Sequence, residues 1–66
     1  MIISNRILEL RKEKGISQAK LGQAVGVNAR AVSYWEAGIN EPKASYIVAL
    51  AKYFGVSTDY LLGLED

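Results

Sequence analysis

The chain has 66 residues, half of them hydrophobic, with one Pro and neither Cys nor His, which limits it to one small domain over residues 1–66 whose marginal core dimerisation would support. Without Cys or His there is no disulfide, no thiolate or imidazole site for a metal or cofactor, and no catalytic pair built on either side chain, so an enzyme is disfavoured. The net charge of +1 hides an asymmetry: residues 1–33 carry six Lys/Arg against two Glu, and residues 34–66 two Lys against five acids, a basic half that fits either a polyanion partner or ordinary solvated helix faces.

Gly15, Gly26, Gly38, Gly55 and Gly63 each follow a run of helix formers, so the spacing predicts five short helices and an all-α fold. Helix 1, about residues 5–14, is expected to be capped by Ser4 or Asn5, with Ile3, Ile7 and Leu10 inward and Arg6, Glu9, Lys12 and Glu13 outward. Helix 2, about 18–25, starts after Ser17, buries Leu21 and Val25, and ends at Gly26. Helix 3, about 29–37, has Asn28 as its cap and Val32 and Trp35 inward, which leaves Ala29, Arg30, Ser33 and Tyr34 outward. Trp35 is expected to pack between helix 3 and the N-terminal half.

Ile39-Asn40-Glu41-Pro42 is a connector whose Pro suits the start of helix 4, about 43–54, with Ile47, Leu50, Ala51 and Phe54 on its inner face. Ser57 or Thr58 caps a final turn or two through Tyr60, Leu61 and Leu62, stopped by Gly63. The N-terminus lacks a basic patch followed by an apolar stretch, and no segment reads as a membrane span, so the expected location is the cytoplasm. No effector domain is expected beyond Leu64-Glu65-Asp66.

Two short helices joined by a Gly-containing turn, the second with a polar outer face, have the geometry of a helix-turn-helix reader. The residues Ile16-Ser17-Gln18-Ala19-Lys20-Leu21-Gly22-Gln23-Ala24-Val25-Gly26-Val27-Asn28, followed by Val32-Ser33-Tyr34-Trp35-Glu36-Ala37-Gly38, resemble the DNA-binding domain of the phage Cro/C1-type repressors, the XRE family. The resemblance continues through Leu50-Ala51-Lys52-Tyr53-Phe54-Gly55-Val56-Ser57 and Asp59-Tyr60-Leu61-Leu62-Gly63. It implies a compact five-helix, lambda-repressor-like domain that binds double-stranded operator DNA as a homodimer. The rival reading is an antitoxin or coactivator-like protein-interaction module on the same fold.

Carried over residue by residue, the resemblance implies base contacts from Ala29, Arg30, Ser33 and Tyr34. Arg30 has the donors to hold guanine O6 and N7, Ala29 can meet a thymine methyl, and Tyr34 can read a base or stack on the backbone. Gln18 is implied to anchor helix 2 to a phosphate, with Asn28, Asn40 and Lys43 as further phosphate contacts. Lys20 and Arg6 can add long-range attraction. Arg11 and Glu36 form an ion pair in similar repressors, the alternative being two unpaired surface charges. Tyr60, Leu61 and Leu64 either form a two-fold dimer interface or close the small core. The chain departs from related readers in having Gly22 where Ala is usual, and Ala29 and Arg30 where several have paired Gln; the second departure bears on the target sequence.

Overall fold

A computed structural model describes residues 1–65, and the expected domain of 1–66 thus includes one residue, Asp66, outside the described part. Among the described residues there are five helices in the order α1 (Ile2–Lys14), α2 (Gln18–Val25), α3 (Ala29–Ala37), α4 (Ala44–Phe54) and α5 (Thr58–Leu62). Each is closed by a left-handed glycine. Three starts are capped by side chains, because Ser17 Oγ accepts from the Lys20 amide, Asn28 Oδ1 from the Ala31 amide and Ser57 Oγ from the Tyr60 amide.

Helix α1 departs from the sequence expectation. It begins at Ile2, about a turn before the expected start, and its cap is Met1, which makes no side-chain cap bond. Neither Ser4 nor Asn5 caps it. Extending the helix buries Ile3 above Ile7 and sets Ile2 over Gly63, where a Cβ would come within 2.7 Å of Ile2 Cγ2. Apolar burial therefore outweighs the local capping preference. The consequence is that Ser4 is only 2% exposed and its hydroxyl finds no partner among the described residues. At the other connector, α4 starts one residue later than expected, with Lys43 as N-cap and Pro42 buried just before it.

All five helices contribute to one core, made of Ile3, Ile7, Leu21, Val32, Trp35, Leu50, Ala51 and Leu61. Val25 and Val27 pack against it half-buried. The Trp35 ring meets a ring of the C-terminal half: Tyr46 of α4 lies 5.6 Å away between centroids, at 45°. The expectation that Trp35 packs toward the N-terminal half therefore lacked its aromatic partner. Leu61 is 0% exposed. Of the two roles open to it from the sequence, closing the core is the one it fills in the single chain.

The turn between α2 and α3 positions everything that follows. Gly26, at φ 92°, lets the chain reverse, and the Gly26 and Val27 amides both donate to the Gly22 carbonyl oxygen at 2.8 Å. The reversed chain then lies directly on Gly22, where a Cβ would sit 2.5 Å from the Val27 carbonyl oxygen and 3.1 Å from that of Asn28. Gly in a helix interior costs about 1 kcal/mol relative to Ala. The close passage of the turn backbone accounts for its presence.

Gly22→Ala is expected to recover that propensity and still lose stability, because pushing a methyl against backbone costs about 1–3 kcal/mol. Chemical denaturation should show a net loss on the order of 1 kcal/mol. A variant as stable as the parent would mean that the turn yields freely.

Candidate nucleic-acid interface

The outer face of α3 carries the four residues expected to read bases. Arg30 and Tyr34 are exposed one turn apart, and Ala29 and Ser33 beside them are half-buried. None of the four belongs to the core. Their opposite face is held by Val32 and Trp35, so the orientation of this surface follows from core packing. Asn28 spends its Oδ1 on the helix cap and keeps its amide donors for another acceptor.

Gln18 is the first residue of α2, at a helix N-terminus whose amides favour an anion. Its side chain is not simply solvated. Gln18 Nε2 donates to Glu36 Oε1 at 3.0 Å, a link between α2 and the end of α3 that sequence reasoning missed. The same carboxylate pairs with α1: Arg11 Nε donates to Glu36 Oε2 at 2.6 Å and Arg11 Nη2 to Oε1 at 3.0 Å. Arg11 Nη1 completes the set by donating to the Ile16 carbonyl oxygen at 2.9 Å, just before α2.

This fork is well shielded, with side-chain exposures of 14% for Arg11 and 6% for Glu36. Donating to the Glu36 carboxylate holds the Arg11 guanidinium above its ordinary pKa, against the opposing pull of burial. Geometry of this kind, two parallel donors on one carboxylate, is the strong form of an ion pair. Removing either partner would strand the other charge, at a cost above the net worth of the pair.

Asn40 and Lys43 are both exposed on the connector between α3 and α4. They rim a groove of about 440 Å³ whose floor includes Val27, Ala31, Trp35 and Tyr46. Lys20, Arg30 and Lys43 thus supply exposed cations on α2, α3 and the connector. Arg6 lies over a ring of α5, its guanidinium carbon 4.0 Å from the Tyr60 ring centroid, a contact that ties α1 to α5 and leaves its charge in place.

The expected dimer residues do not form one surface. Leu61 is in the core, Tyr60 is half-buried beneath Arg6, and only Leu64, at 72%, is widely exposed. The late apolar surface is instead a groove of about 330 Å³ lined mainly by Met1, Ile2, Pro42, Ile47 and Leu62. Spacing on a five-residue helix cannot separate its inner from its outer side, which is why the sequence left both roles open for Leu61. Among the described residues, no helix is long and apolar enough to cross a membrane.

A family profile described as helix-turn-helix matches residues 7–61, which spans α2, the turn and α3. Repressor protein C2 of Salmonella phage P22 is 43% identical over 61 residues, covering 92% of this chain. The chain spans 28% of that repressor's length. The uncharacterized HTH-type transcriptional regulator YgzD of Bacillus subtilis is 33% identical over 64 residues, covering 97% of each chain. Among solved structures, the P22 c2 repressor in complex with a synthetic operator superposes with a TM-score of 0.87 at 41% identity, covering 92% of both chains. This chain belongs to the helix-turn-helix family of the XRE, Cro/C1 type.

Proposed function

We propose that the chain is a sequence-specific double-stranded DNA-binding transcriptional regulator, a repressor that occupies a palindromic operator as a homodimer. The observation that carries this reading is the outer face of α3, where Arg30 and Tyr34 stand exposed beside Ala29 and Ser33 on a helix whose other face is locked into the core. A helix presented in this way fits the major groove, and Arg30 has the planar fork that guanine O6 and N7 accept. The likeness to a repressor whose structure holds an operator supports the same reading.

Backbone contacts come from the elements on either side. Gln18 at the start of α2, Asn28 at the start of α3, and Asn40 and Lys43 on the connector are all donors, as phosphate oxygens require. The dimer surface is the apolar groove at the start of α1, with Ile2 and Leu62 on it and Leu64 nearby in sequence. Exposed aliphatic side chains of this number on so small a chain support a contact with a second copy.

Base reading and phosphate anchoring are separable by comparing an operator, taken from a footprint on the promoter of the chain's own operon, with random duplex. Arg30→Ala is expected to cost about 1–3 kcal/mol on the operator and much less on random DNA, whereas Gln18→Ala weakens both alike. Equal losses for Arg30→Ala on the two duplexes would make it a phosphate contact. Failure of the parent chain to shift any duplex at moderate salt would favour the protein-interaction module.

A two-fold dimer also dictates the site. The footprint should be an inverted repeat with half-site centres about 10–10.5 bp apart, and Leu62→Arg should leave a folded monomer that protects half-sites weakly. A parent chain that is monomeric at micromolar concentration and protects one half-site would contradict the dimer.

A further inference from the structure

We infer that Glu36 is a positioning residue for DNA binding, holding one N–H of the Gln18 carboxamide so that the other is presented to a backbone phosphate. This rests on the DNA-binding reading above and names a device within that same surface.

A free carboxamide can present either its two N–H donors or its oxygen, and a phosphate accepts only from the donors. A carboxylate is likewise an acceptor only. Because Glu36 Oε1 lies 3.0 Å from Gln18 Nε2, it selects the flip that keeps the amide nitrogen on its side and engages one hydrogen. The second hydrogen is left for another acceptor, and the side chain is ordered before DNA arrives, so less rotamer freedom is lost on binding.

An uncompensated carboxylate at this place would repel the phosphate that Gln18 is meant to hold. Arg11 removes that conflict, since its guanidinium bonds both Glu36 oxygens and makes the cluster neutral. Its third bond, to the Ile16 carbonyl oxygen, secures the segment that leads into Gln18. Arg11 is thereby spent inside the protein: its charge supports the contact without making one. Glu36 stands at the end of the reading helix and Gln18 at the start of the anchoring helix, so one carboxylate registers the two against each other.

The test is a double-mutant cycle with Gln18→Ala and Glu36→Gln, read as affinity for a random-sequence DNA duplex at low salt. Glu36→Gln keeps the shape but replaces an acceptor oxygen with a donor, which permits the Gln18 amide to flip; the Arg11 charge it leaves uncompensated acts in both backgrounds and cancels in the cycle. Each single change is expected to weaken binding roughly tenfold, and Glu36→Gln to add less than about twofold in the Gln18→Ala background. A purely structural role for Glu36 predicts losses that multiply, and that result would overturn the proposal.

Should Glu36→Gln fail to fold, the parent chain still decides the matter through the two Nε2 protons of Gln18 in NMR spectra. On adding the same duplex, the outward proton should shift while the one bonded to Glu36 holds its place. Both protons moving together, or neither, would overturn the proposal. Binding with multiplying losses removes this device alone, whereas a parent chain that binds no duplex removes the DNA-binding reading along with it.

Discussion

The carboxylate of Glu36 is the point on which the α1, α2 and α3 part of this molecule is built. Almost fully shielded, it needs compensation, and it draws this from two helices at once: a bidentate guanidinium from α1 and a carboxamide from α2. The chain segments so joined lie 25 and 18 residues away from Glu36. Interactions of this length cannot form until α1, α2 and α3 have packed. They convert a hydrophobic assembly, which tolerates small rotations, into a frame in which the outer face of α3 has one orientation.

Under that frame lies the passage of the turn over Gly22. The two features work on opposite ends of the α2/α3 pair. Gly22 lets the backbone of Val27 and Asn28 come as close as atoms allow, and Glu36 clamps the far end of α3 to the start of α2. Between them Leu21, Val32 and Trp35 fill the interior. Arg30 and Tyr34 can therefore stand exposed without weakening the fold, because neither belongs to the core, whereas Gln18 and Asn28 also serve the frame, one bonding Glu36 and the other capping α3.

How much of this was legible in the sequence depends on the range of the physics involved. The bounds of α2 and α3 were readable because Ser17, Asn28, Gly26 and Gly38 are local capping devices acting within one turn. The outward set on α3 followed from the same periodicity. The start of α1 was misread because Ser4 looks like a cap, while the burial of Ile3, a tertiary effect, decided the outcome. The burial of Leu61 and the contact of Arg6 with the Tyr60 ring were not readable for a similar reason, since both arise from packing between elements distant in sequence. The Arg11–Glu36 pair entered through family resemblance. The bond from Gln18 to Glu36 had no sequence signal, since it depends on the angle between two helices.

If the start of α2, the outer face of α3 and the 40–43 connector make one DNA-binding surface, as proposed above, the Glu36 frame holds all three in register. Mapping backbone amide shifts along the whole chain while operator duplex is added tests it most directly. The largest changes are expected at residues 17–20, 28–34, 40, 41 and 43, with Lys14, Tyr53 and Phe54 on the α1/α4 side unmoved. Shifts concentrated on Lys14, Tyr53 and Phe54, with α3 unaffected, would contradict it.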